Sequence, residues 1–186
     1  MKNVLKKLAI VALLLGTSAT YANDSKEIVS IIKNVEKGDQ ITVKDDSGEI
    51  IYNNVIANDG NLTQLFDFSK LRKGDYTVEI NKDYIIEINT IKVTDESVYI
   101  VKSSEEKVFK PVFRPLDNKL IISKIALDAR ELDVELYYKD ELIFSENVEE
   151  NEDVFNRIYK LDKTNKGFYK AIVKTNERVF VEYFRI

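Results

Sequence analysis

The chain has 186 residues, of which 44% are hydrophobic, 32% charged and 10% aromatic, and its formal net charge is −4. This composition is globular, far from the low-hydrophobicity, high-charge regime of disorder, and the length suits one domain or two small ones. Six glycines and two prolines exclude collagen-like and linker-rich chains, and the absence of cysteine excludes disulfides, thiolate metal sites and a cysteine nucleophile.

The first residues read as a separate object. Lys2, Lys6 and Lys7 form a basic start, Leu8 to Leu15 is a short apolar run, and Thr20-Tyr21-Ala22 places small residues where a signal peptidase reads. Residues 1–22 are therefore expected to be a secretory signal peptide cut after Ala22. The apolar run falls short of the ~20 residues that a membrane-spanning helix needs. Losing three lysines and no acid would take the net charge from −4 to −7. An acidic exported chain lacks the basic face that holds nucleic acid or anionic lipid, so neither is expected as a partner, and no membrane anchor remains after cleavage. Small exported animal domains lean on disulfides, so a chain without cysteine points to a bacterial periplasmic or secreted protein.

From Asn23 onward the apolar residues recur with period two, the spacing of half-buried strands. Ile28 to Val35 fits a strand or a short amphipathic helix, with strand favoured. Ile41 to Lys44 and Glu49 to Tyr52 flank Asp45-Asp46-Ser47-Gly48, a hairpin signal. Asn58 to Asn61 is a second turn, and Leu62 to Phe68 is expected to be a third strand. Gly74 opens a strand with Tyr76, Val78 and Ile80 on one face. In the next strand the apolar positions switch parity, from Ile86 and Ile88 to Ile91 and Val93. That switch predicts a bulge or a strand shared with a neighbouring sheet.

The second half repeats this order. Leu132 to Leu136 leads through Lys139-Asp140 to Glu141 to Phe144; Val154 to Leu161 answers Leu62 to Phe68, and Phe168 to Lys174 answers Asp75 to Asn81. Gly74 and Tyr76 recur as Gly167 and Tyr169, each 93 residues on. Pro111 and Pro115 demote their segment to an edge strand or connector. The final strand, Val179 to Phe184, is apolar on both faces, and burial is the favoured reading. Short strands with turns every 8 to 12 residues predict an all-β chain of two tandem antiparallel sandwiches, over residues 23–103 and 104–186. One larger sandwich or barrel built from both halves is the second possibility.

No histidine is present, which removes the commonest general base, the usual triads and every histidine zinc site. The glycines stand singly at turns, so no phosphate-cradling loop appears. No catalytic residues, cofactor or metal are expected, and the protein is read as not an enzyme. Asp45, Asp46, Ser47 and Glu49, and likewise Asn58, Asp59 and Asn61, carry oxygens that suit calcium, but turn chemistry alone explains them. Tyr137, Tyr138 and the final strand could form an aromatic face for a protein or glycan partner, whose identity stays open.

The strings Val43 to Tyr52 and Phe66 to Tyr76 resemble the immunoglobulin-like modules of secreted Bacteroidetes proteins, a group that includes the C-terminal sorting domain of the type IX secretion system. Arg114 to Ile121 is similar to a worn version of that domain's opening segment. The resemblance implies immunoglobulin-like sandwiches in which Leu71, Gly74 and Tyr76, and again Gly167 and Tyr169, form a structural tyrosine corner. The second copy departs from the pattern: Lys139-Asp140 replaces the hairpin glycine, and Asp162-Lys163-Thr164 replaces Ser-x-Leu. The function expected is an exported, non-catalytic binding or structural module, with a sorting role for the C-terminal half as the alternative.

Overall fold

The computed structural model describes residues 27–29, 34–62, 66–149 and 151–186. The leader read over residues 1–22 lies outside the described residues. Sixteen strands and two 3-10 turns make up the elements. In the first half these are β1 (Glu27–Val29), β2 (Asn34–Val35), β3 (Gln40–Lys44), β4 (Ile50–Val55), β5 (Gly60–Asn61), a 3-10 turn at Phe68–Lys70, β6 (Gly74–Asn81) and β7 (Ile85–Val93). Then come β8 (Ser97–Ile100), a 3-10 turn at Lys102–Ser104 and β9 (Glu106–Phe109). In the second half they are β10 (Val112–Leu116), β11 (Lys119–Ile125), β12 (Glu131–Tyr138), β13 (Glu141–Glu149), β14 (Val154–Lys160), β15 (Phe168–Thr175) and β16 (Arg178–Arg185).

The second half is a two-sheet sandwich. One sheet runs β10-β11-β14 and the other β13-β12-β15-β16. Period-two patterning puts Leu120, Ile122, Phe155 and Tyr159 on the inner face of the first sheet. Leu132, Val134, Leu136, Tyr169, Ala171, Val173 and Phe184 line the second, and all are buried in one cluster. β10 pairs with β11 alone, as its Pro115 requires of an edge strand.

In the first half one sheet runs β1-β8-β7-β6-β3-β4, with β9 also paired to β7. The segment β7-β6-β3-β4 has the same order as β16-β15-β12-β13 in the second half. Ile41, Val43, Tyr76, Val78, Ile80, Ile91 and Val93 face a core closed from the other side by Val35, Leu62 and Phe68. The opposing layer is thin, a two-stranded β2-β5 pair. All strand pairs are antiparallel except β1 with β8.

Four expectations are corrected or refined. Of the stretch Ile28 to Val35, residues 30–33 lie outside the described residues; the described ends have different partners, β1 joining the large sheet and β2 pairing with β5. Of the third strand expected over Leu62 to Phe68, residues 63–65 lie outside the described residues, and Leu62 and residues 66–68 belong to no strand. The Phe66 N–H bonds to the Leu62 carbonyl, and Asp67 caps the following 3-10 turn by accepting from the Ser69 N–H. Local capping there outcompetes the ladder that the equivalent β14 forms. In β7 the register against β6 is continuous, so no bulge accompanies the parity switch. Nor is β7 shared with a neighbouring sheet: its outer edge is divided between two strands of its own sheet, β9 pairing with Ile85 to Ile88 and β8 with Ile91 to Val93. Ile86 is buried on the face away from the core, beside Val108 of β9. Finally, the expected division at 103/104 falls before β9, which still belongs to the first sheet. The hand-over lies at Lys110-Pro111.

A buried ion pair fixes that hand-over. Lys124 continues the inward face of Leu120 and Ile122, and its ammonium is buried. It donates to Asp128 and, at 2.9 Å, to the Ile125 carbonyl. The second Asp128 oxygen accepts the Phe109 N–H of β9 at 3.1 Å, and its backbone carbonyl accepts from Asn176 at 2.7 Å. One residue thus ties the last strand of the first sheet to a core strand and a hairpin of the second half.

Asp128→Ala leaves a buried ammonium without its carboxylate and is expected to cost about 3–5 kcal/mol. The double change Lys124→Met, Asp128→Ala should recover much of that loss. Urea denaturation of the two variants checks it; equal losses in both would overturn the pairing as the cause.

Candidate functional site

The two Gly-x-Tyr turns are built alike. Gly74 and Gly167 have φ of +158° and +141°, backbone that side-chain-bearing residues rarely adopt. Each turn delivers a buried tyrosine whose hydroxyl donates to a carbonyl four residues upstream. Tyr76 bonds Arg72 at 2.9 Å, and Tyr169 bonds Asn165 at 2.7 Å. Leu71, partly buried, packs on the first core beside Tyr76. Leu71, Gly74 and Tyr76 therefore share one corner, while Gly167 and Tyr169 share another that belongs to the other core. The two groups do not meet in one site.

The second corner has a member that sequence reading assigned elsewhere. Tyr138, considered above as part of a binding face, packs its ring tilted against Tyr169, centroids 4.8 Å apart, and donates to the Lys166 carbonyl at 3.0 Å. A Cβ on Gly167 would sit 3.6 Å from the Tyr138 ring. Strand alternation puts Leu136 and Tyr138 on the same, core-facing side of β12, while the register shift against β13 leaves Ile143 as the extra residue of that strand. Consecutive tyrosines were visible in the sequence, and the alternation of Leu132, Val134 and Leu136 was the signal that Tyr138 is the inward one.

Acidic side chains at the turns are engaged locally. Asp45 accepts from the Ser47 hydroxyl at 2.6 Å and from the N–H groups of Ser47 and Glu49 at 3.0 Å, and these bonds hold its carboxyl below the usual range. Asp59 accepts the Lys37 N–H at 2.7 Å. Asp67 with Ser69 and Asp162 with Thr164 repeat one Asp-x-Ser/Thr turn ahead of each corner. Among the described residues no group of three or more His, Cys, Asp or Glu is arranged to hold a metal ion.

Between the halves, Glu79 accepts from Lys44 at 2.8 Å and from Arg178 at 3.3 Å. Burial alone would raise its pKa, but the bonds from Lys44 and Arg178 outweigh burial and hold it below the ordinary 4.5. This contact crosses from β6 to the start of β16.

Two of the open surfaces lie in the second half. A groove of about 560 Å³ lies between the edges β13 and β14, walled by Ile143, Phe144 and Ile158 and floored by Tyr159 and Tyr169. Tyr159 donates to Glu146 at 2.5 Å, and burial followed by that carboxylate raises its pKa well above the ordinary phenol value. The second surface is the outer face of β15 and β16. Val179 (59% exposed), Val181 (43%), Tyr183 (72%) and Phe168 (71%) lie open there. The favoured burial of the final strand is thus half wrong. Phe184 is buried in the core, while the opposite face is bare because no strand or layer covers it.

Tyr76→Phe and Tyr169→Phe are each expected to lower stability by about 0.5–1.5 kcal/mol, the net worth of one hydrogen bond. Thermal melts check this, and no loss in either variant removes the corner bond as a stabiliser. The Glu79 contact carries a pH signature. A carboxylate whose folded pKa is depressed contributes stability above 4.5, and that contribution is lost as pH falls through the lowered value. The gap in urea midpoint between the native chain and Glu79→Gln should therefore narrow on acidification; a constant gap would exclude the linkage.

Comparison with known proteins follows the same division of the chain. No curated protein matches it. Among solved structures the amphioxus IgVJ-C2 molecule matches at 10% identity with a TM-score of 0.22, over 82% of this chain and 89% of that one. Residues 19–94 match the family described as the secretion system C-terminal sorting domain. The match falls on the half that keeps the hairpin glycine Gly48 and the Leu71-x-x-Gly-x-Tyr76 corner, whereas the resemblance at Arg114 to Ile121 pointed to residues 104–186. Residues 19–94, which contain the strings at 43–52 and 66–76, are thus similar to a secretion system C-terminal sorting domain.

Proposed function

We propose that this chain is an exported, non-catalytic β-sandwich protein that serves as a binding or structural module in the bacterial periplasm or at the cell exterior. A sorting domain implies a secreted or cell-surface protein, and residues 1–22 supply the leader that export through the inner membrane requires. The observation that carries the non-catalytic reading is where the charged groups go. Asp45, Asp59, Asp67 and Asp162 serve their own turns, Asp128 neutralises Lys124, and Glu79 joins Lys44 to Arg178. What is left open to a partner is apolar strand surface, the chemistry of protein recognition rather than of bond breaking.

A tagged full-length chain expressed in a type IX-competent host should leave the cytoplasm with its N-terminus at Asn23, read by mass spectrometry of the processed protein. Cytoplasmic retention with an intact leader defeats the reading. The second reading, a sorting role, is favoured by the family match. Residues 23–110, which reach the end of the first sheet, fused behind a periplasmic reporter should carry that reporter to the surface or medium. A reporter that stays in the periplasm excludes sorting by this half.

A further inference from the structure

The two halves treat one strand edge differently. In the first half β9 lies along β7, pairing Ile86 with Val108 and Ile88 with Glu106, and Ile86 is buried. At the offset of 93, Ile86 and Ile88 correspond to Val179 and Val181 of β16. The apolar residues are kept, yet β16 ends its sheet and both valines are exposed. The other exposed edges, β4 and β13, are bare in both halves. Only the β7/β16 pair differs, so this position takes a strand in one half and lacks one in the other.

Backbone parity tells which groups point out from that edge. Gly167 and Ile186 exchange both N–H···O bonds, at 3.0 and 3.1 Å. In an antiparallel ladder the bonded pairs alternate. The even-numbered residues of β16 therefore bond β15, and Val179, Val181 and Tyr183 direct their N–H and carbonyl groups to solvent. The same residues form the exposed apolar face. An eight-residue edge with no proline and no bulge is a template for strand addition.

We propose that the occupant of this edge is β16 of a second copy, paired antiparallel about a two-fold axis through Val181. This register joins the two four-stranded sheets into one. It sets Val179 opposite the second copy's Tyr183, and Val181 opposite itself, giving a continuous apolar stripe on the outer face. No like charges stand directly opposed in this register. Moving the axis to residue 182 sets Glu182 against itself. Moving it to residue 180 shortens the paired stretch and carries Tyr183 out to the Asn176-Glu177 turn, where both residues have positive φ. Charge, register and apolar facing thus agree on residue 181.

The chain contains no cysteine, so a single introduced thiol reports the register directly. Sedimentation of the full chain should show a concentration-dependent dimer. Val181→Cys should give a covalent dimer under mild oxidation. Val179→Cys and Tyr183→Cys should form no covalent dimer when oxidised separately and should crosslink when mixed. Val181→Pro removes an outward N–H and should weaken the dimer by about tenfold or more, while the melting temperature, read on the monomer, stays close to that of the native chain. A chain that remains monomeric at high micromolar concentration overturns the proposal. So does a dimer that Val181→Pro leaves intact and that residue 181 does not crosslink, or a monomer that instead takes up an added strand peptide.

Discussion

A buried ammonium ion is the constraint from which the joining of the two halves follows. Lys124 sits where strand alternation demands an inward side chain, and a charge taken out of water must find a partner or unfold its surroundings. Asp128 supplies the partner, and having been placed there its remaining oxygen and carbonyl are available to Phe109 and Asn176. The neutralisation of one side chain therefore determines where β9 stops and how the hairpin between β15 and β16 is seated. The Glu79 contact with Arg178 acts at the same seam from the opposite direction. The seam is polar, while each core on either side of it is almost wholly aliphatic and aromatic.

Both halves use one order of four strands, but they close it differently. The second half has a full three-stranded opposing sheet. The first replaces that sheet with two short strands, Leu62 and the Phe68 turn, and extends sideways by adding β8, β9 and β1. Aromatic packing follows the same division. Tyr52, Phe66 and Phe68 form a run of ring contacts at 4.6 and 4.5 Å under the first sheet. In the second half Tyr138, Tyr169 and Phe184 do so at 4.8 and 5.5 Å beside the corner.

What the sequence revealed depended on whether the deciding force was local. The Asp45 to Gly48 hairpin was legible because a left-handed glycine and an aspartate bonding its own turn are written in four residues. The strand carrying Tyr76, Val78 and Ile80 was legible because one face is solvent and the other core. Leu62 to Phe68 misled because its apolar spacing suits a strand while Asp67 and Ser69 supply a competing turn. The β9 addition was hidden, since nothing in Glu106 to Phe109 announces a partner some twenty residues upstream. The parity switch in β7 was its only trace. Lys124 was read as a strand residue, but its burial depends on Asp128 and on a core that pattern alone does not reveal.

The parallel pairing of β1 with β8 bears on the order in which the molecule assembles. Glu27 lies beside Ser97, so the sheet of the first half is not complete when the strands up to β7 have emerged. Its edge stays unfilled until Phe109 is available to pair with Ile85. A chain threaded through a membrane N-terminus first would thus present an unfinished sheet for roughly the length of a small domain, the interval in which exposed strand edges invite misassembly. The first unit is in that sense a late-closing one, because its sheet takes in strands up to Phe109.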